Sequence, residues 1–189
     1  MTDKRGDTEI ITDILNGDRE SFRVLAERYS DTLFRVTMGY LHSKEDAEDL
    51  VQEVLIKVFN SLDTFKGDSK LSTWLYRVTV NACLNEIDKR GRRGLFERIE
   101  DGMAKISNKG GLGRDPQESM IADEVKIAVR KAIDSLPDKQ KTAFILQKYQ
   151  DLSQKEIASI MQISEGSVEQ LLMRGKENLK RKLKHIKGE

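Results

Sequence analysis

In the stretch "STWLYRVTVNACLNEIDKRGRR", Trp74, Arg77 and Asn81 stand three and four residues apart, which brings an aromatic ring, a guanidinium and an amide onto one flank of a helix. Lys89, Arg90, Arg92 and Arg93 follow. A stacking surface, hydrogen-bonding groups and backbone-neutralising charge are what single-stranded or distorted nucleic acid requires. Core packing would account for Trp74 equally well. A second set lies in "SQKEIASIMQISEGSVEQLLMRGKENLKR". At 100° per residue Ser167, Gln170, Arg174 and Arg181 share one side of a helix, opposite Val168, Leu172, Leu179 and Leu183. Such side chains can reach base edges or phosphates. In "SKEDAEDLVQEVLIKVF" a third set, Asp46, Asp49 and Glu53, falls at i, i+3 and i+7 and forms an acidic stripe beside the apolar face. It suits the docking of a basic partner; no histidine or backbone turn accompanies it to make a metal site. An ordinary solvated face is the competing explanation for the second and third sets.

Catalysis finds little to work with. Cys83, His42 and His185 have no partners at catalytic spacing and read as structural. One cysteine excludes an internal disulfide and a cysteine metal cluster, and no cofactor is called for. The formal net charge of +1 hides an alternation. Residues 1–63 carry 14 acids against 8 bases, and 64–114 carry 6 against 11. Residues 115–168 carry 9 against 7, and 169–189 carry 3 against 7, so anionic and cationic surfaces are separated along the chain. No run approaches the ~20 apolar residues that span a bilayer, so membrane insertion is not expected. The first residues, "MTDKRGDTEIITDILNG", are polar where a signal peptide needs an apolar run, which points to the cytoplasm.

Helices must position all three sets. Apolar periodicity predicts one over about 8–16 ended by Gly17, a second from about Asp18 to Leu41, and a third after Ser43 carrying Ala47, Leu50, Val51, Val54, Val58 and Leu62. A fourth runs from about Ser69 to Lys89 with Leu71, Leu75, Val78 and Ala82 aligned. Residues 91–114 lack a sustained period and hold six glycines, so they read as a flexible linker. Asp115, Pro116 and Glu118 then announce a new helix by N-cap, first-turn proline and capping box. Pro137 opens the next, Ser153 with Glu156 repeats the capping-box spacing, and Ser164 caps the last. Ile157 and Met161 would face inward, Ala158 would let two helices approach, and Ile163 would plug the turn of a helix-turn-helix. The fold class is therefore all-α: two small helical domains joined by a flexible linker, the C-terminal one with a helix-turn-helix.

With these motifs in order, the chain resembles the extracytoplasmic-function, or group 4, sigma factors of bacterial RNA polymerase. "DAEDLVQEVLIKVF" is similar to their region 2.2, "FKGDSKLSTWLYRVTVNACLNEIDKRGRR" to regions 2.3 and 2.4, and "LSQKEIASIMQISEGSV" to region 4.2. The resemblance implies an initiation factor without enzymatic activity. Its domain 2, residues 1–90, would bind the polymerase clamp and the −10 promoter element; the linker is 91–114; its domain 4, residues 115–189, would bind the flap and the −35 element. It assigns Asp46, Asp49, Gln52 and Glu53 to the polymerase. Phe65, Lys66, Trp74, Arg77, Asn81, Arg90, Arg92 and Arg93 go to −10 DNA, with Asn81 holding a flipped base. Ser167, Gln170, Leu171, Arg174 and Arg181 go to −35 DNA. Core polymerase, promoter DNA and an anti-sigma factor are the implied partners.

The recognition helix departs from the pattern. After "EGSV" the family continues with a lysine, a small polar residue, an arginine and a leucine, where this chain has Glu169, Gln170, Leu171 and Leu172. Two cations are missing, and one is replaced by an acid. Two other readings stay open on the residues alone: a stand-alone helix-turn-helix regulator, and a polymerase-binding protein that reads DNA weakly.

Overall fold

A computed structural model describes the backbone of residues 3–100 and 116–184, and the side chains of 3–92 and 124–184. Every regular element among the described residues is helical. α1 (Asp7–Leu15) ends as the spacing predicts, with Gly17 in the left-handed region at φ 98°. α2 (Arg19–Leu41) is capped by the Asp18 carboxylate, and α3 (Lys44–Ser61) by the Ser43 hydroxyl. Leu62, expected on the third helix, lies instead in a single 3-10 turn, Leu62–Thr64, still fully buried.

α4 (Leu71–Glu100) differs more. It continues past Lys89 through the first ten residues of the expected linker. Gly91 and Gly94 each cost a helix about 1 kcal/mol relative to alanine, but the arginines, leucine and glutamates between and after them favour one. Residues 101–115, the remainder of the expected linker with the Asp115 cap, lie outside the described residues.

The second set comprises α5 (Pro116–Asp134), α6 (Asp138–Gln150), α7 (Gln154–Met161) and α8 (Glu165–Leu183). The capping box is complete: Ser153 Oγ accepts from Glu156 N–H, and the Glu156 carboxylate accepts from Ser153 N–H. Ser164 Oγ accepts from Ser167 N–H at the head of α8.

The two helical sets share one apolar core. Leu25, Leu33, Val36, Val54, Val58 and Leu75 belong to the same buried cluster as Ile145, Leu146, Ile157 and Val168. A smaller cluster of Ala132, Ile133, Leu136 and Leu179 fastens α5 to the end of α8. Where α2 crosses α6, Gly39 permits the approach: a Cβ built there would stand 2.8 Å from Ile145 Cγ2. One helical turn is thus specified by the absence of a side chain.

Candidate nucleic-acid and polymerase interfaces

α4 carries the first candidate surface. The Phe65 and Trp74 rings pack at 5.6 Å with a 53° tilt, so the half-buried indole rests on the loop that precedes α4. Gly67, at φ 78°, turns that loop, and Lys66 is exposed on it. Arg77 is half-buried and already has partners on this flank. Its Nε donates to Ile160 O at 3.2 Å and its Nη2 to Ser159 O at 2.5 Å, both at the C-terminal end of α7. Those carbonyls carry the negative end of the α7 dipole. Asn81, one turn further along α4, is exposed and lines a cavity of about 290 Å³ together with Arg77, Asp138, Lys139 and Gln162. Spacing brought Trp74, Arg77 and Asn81 to one flank, as the structure has them. What spacing cannot show is that α7 stands against that flank.

Arg90 and Asp46, assigned by sequence to different partners, are each other's partner. Arg90 Nη1 lies 2.8 Å from Asp46 Oδ2, and Arg90 Nε 2.7 Å from Glu86 Oε1. The guanidinium holds the Asp46 carboxyl below its ordinary range. Arg92 is exposed, with Nε reaching Asp88 O at 3.4 Å, and the side chain of Arg93 lies outside the described residues.

The acidic stripe on α3 is otherwise open. Asp49, Gln52 and Glu53 are exposed, and none of them has a hydrogen bond or ion pair among the described residues. Beside them Ile56 is 62% and Phe59 43% exposed, the latter edge-on to Phe22 at 4.9 Å. Periodicity overlooked both. They fall outside the stripe of Val51, Val54 and Val58, and an apolar residue on the wet side of an otherwise regular helix was the available signal.

The helix-turn-helix forms as the spacing predicts. Ile157 and Ala158 of α7 and Val168 and Leu172 of α8 are buried, and Ile163 of the turn packs against them. The turn needs a left-handed residue, and Gln162 supplies it at φ 55°, with its N–H bonded to Ala158 O. Ser167, Gln170, Arg174 and Arg181 are exposed on α8, Arg181 donating to Asn178. Leu171 differs from them: it is half-buried and packs against the main core. Glu169 is exposed.

Cys83 is fully buried, and burial pushes its thiol up to about 12, which removes any nucleophilic role. His42 caps α2 in the left-handed region, and its Nε2 lies 3.0 Å from Asp134 Oδ1 of α5. His185 is outside the described residues.

Residues 25–93 match the family model Sigma-70 region 2, and residues 126–179 match Sigma-70, region 4. The chain is 32% identical to the ECF RNA polymerase sigma-E factor of Escherichia coli, the match covering 98% of each chain. The chain belongs to the extracytoplasmic-function sigma factors of the sigma-70 family. It is 29% identical to the RNA polymerase sigma-H factor of Pseudomonas aeruginosa, again over 98% of each. The solved complex of the sigma factor RpoE with the anti-sigma factor NepR from Bartonella quintana has the same fold, with TM-score 0.60 over 87% of this chain and 98% of that one at 24% identity. Sigma factors are transcription initiation factors, not enzymes. No helix among the described residues is long and apolar enough to cross a membrane.

Proposed function

We propose that this sigma factor works in the cytoplasm with three surfaces. Asp49, Gln52 and Glu53, with Ile56 and Phe59 beside them, form the contact with the clamp of core RNA polymerase: an acidic rim around an apolar centre. The flank of Phe65, Lys66, Trp74, Arg77 and Asn81 takes the −10 element as its strands part, by stacking and base hydrogen bonds. Arg90, Arg92 and Arg93 draw the phosphate backbone toward it. Domain 4, residues 115–189, presents Ser167, Gln170, Arg174 and Arg181 to the −35 element while the rest of it meets the polymerase flap. Residues 1–90 and 91–114 act as domain 2 and linker. An anti-sigma factor is part of the proposal, as NepR is for the B. quintana sigma factor of the same fold.

The observation that carries this reading is the α7–α8 pair: its apolar side is buried and both helices are capped, while the hydroxyl, amide and guanidinium side of α8 stays exposed. Run-off transcription from a promoter library, using core polymerase with and without the chain, tests it. Promoter-specific transcripts dependent on the chain are expected; none would overturn it. Glu169 and the half-buried Leu171 favour a second reading, in which the chain occupies polymerase but adds little −35 reading of its own. Transcripts with a shared −10 sequence and no shared −35 sequence would select it.

A further inference from the structure

We propose that Glu169 reads a base: its carboxylate accepts a hydrogen bond from the N4 amino group of a cytosine in the −35 element, so that an acid sets part of this chain's promoter preference. This rests on the reading of α8 as the −35 surface. It opposes the second reading, in which Glu169 only weakens that surface.

The exposed side of α8 is divided. Ser167 and Arg174 lie to one side of Gln170, and Glu169 and Met173, one turn apart, lie to the other. Arg174 supplies a cation for the phosphates of one strand. The other side has none to neutralise its acid: Glu165, Gly166, Leu172 and Met173 occupy the positions three and four residues from Glu169, and Met173 is 54% exposed. Glu169 is itself exposed, with no hydrogen bond or ion pair among the described residues. Helix stability does not account for it either. An acid favours a helix within the first turn, where Glu165 already stands, whereas Glu169 is the fifth residue of α8.

An unneutralised carboxylate is repelled by every phosphate, so against a duplex it can settle only on donors. In the major groove those are the amino groups of base edges, and a recognition helix turns its N-terminal half toward them. The four bases differ there. Guanine shows two acceptors, thymine an acceptor and a methyl, and adenine sets its amino group beside the N7 acceptor, whose lone pair repels a carboxylate. Cytosine alone offers an amino group with no acceptor next to it.

Glu169→Gln and Glu169→Ala in the full-length chain test this, both on the exposed side of a capped helix and clear of its buried side. Glu169→Lys would add a phosphate contact on any duplex and obscure a base preference, whereas Glu169→Gln keeps the shape and changes the charge and the hydrogen-bonding groups. Holoenzyme made from core polymerase and each chain is offered duplexes of a promoter active in run-off transcription, randomised upstream of the −10 element, and the bound DNA is sequenced. The wild type should enrich a C·G pair at one upstream position by on the order of tenfold, the worth of one good base contact. Glu169→Ala should flatten that position. Glu169→Gln should turn it to A·T, since an amide pairs with adenine N6 and N7, and preferences elsewhere should stay as they were. The same preference in all three chains overturns the proposal and leaves the −35 reading of α8 standing. A Glu169-dependent position at which the wild type enriches any pair other than C·G also overturns it, as does a loss of bound DNA at unchanged preference, which would mark a polymerase contact. A wild type with no upstream preference at all overturns both the proposal and the −35 reading.

Discussion

Glu169 sits beside Gln170 on the exposed side of α8, so its charge opposes the phosphate that Arg174 would attract. Glu169→Lys should tighten the full chain on duplex carrying its −35 sequence and steepen the log–log salt dependence by about one unit, as one more phosphate contact does. Arg174→Ala should weaken binding and flatten the slope by a similar amount. Anisotropy across a salt series, on matched and scrambled duplexes, reads both changes. On α3 the corresponding test is Asp49→Lys with Glu53→Lys, which should weaken association with core polymerase at unchanged helicity in a competition assay. These positions were legible because helical spacing alone decides which residues share a face. Ile56, Phe59 and the Asp46–Arg90 pair were not: what completes or neutralises a face comes from another helix or from off-pattern residues.

At the scale of the element, the strongest local signals were the caps. Each is a short-range contest between a side chain and the first backbone N–H groups, so the Ser153 and Ser164 caps could be read from sequence and stand where expected, and the helix expected to start after Ser43 is capped by that residue. Ser153→Ala should cost about 1 kcal/mol in urea melts, the ordinary worth of an N-cap. The Glu156 side of the box adds a pH dependence. Hydrogen bonds from the Ser153 hydroxyl and backbone hold the Glu156 carboxyl below its ordinary range. A depressed carboxyl contributes stability that is present above its unfolded pKa and is lost as pH falls through the folded value. The penalty of Ser153→Ala should therefore be full at neutral pH and shrink on acidification below the usual glutamate range. A penalty constant across that range would exclude the bond that the Ser153 hydroxyl donates to the Glu156 carboxylate. Where the local signals failed, in α4 beyond Lys89, two glycines argued for a linker against good helix formers on either side. At Gln162 the turn takes a left-handed residue with no glycine to announce it.

At the scale of the whole molecule, the sequence predicts two domains and says nothing about how they meet. No period connects Tyr40 with Thr142, which are 102 residues apart, or Gly39 with the Ile145 it makes room for. Periodicity reports which side of a helix is apolar and leaves open which helix will cover it. The Tyr40–Thr142 hydrogen bond can report on this packing in solution. Burial pushes the Tyr40 phenol well above its ordinary range, so it remains a neutral donor at any working pH. Thr142→Val should cost about 1–3 kcal/mol, because it leaves the Tyr40 hydroxyl buried and unpaired. Tyr40→Phe should cost less, on the order of 1 kcal/mol, since a helical threonine hydroxyl can fall back on a carbonyl of its own preceding turn. The double variant removes both polar groups at once and leaves neither partner stranded. Its cost should fall short of the sum of the singles by roughly 0.5–3 kcal/mol, the range for residues in direct contact. Urea denaturation of the four proteins measures that coupling. A value near zero would mean that α2 and α6 are apart in the free chain, because two groups that do not touch in the folded state have no means of sharing a penalty.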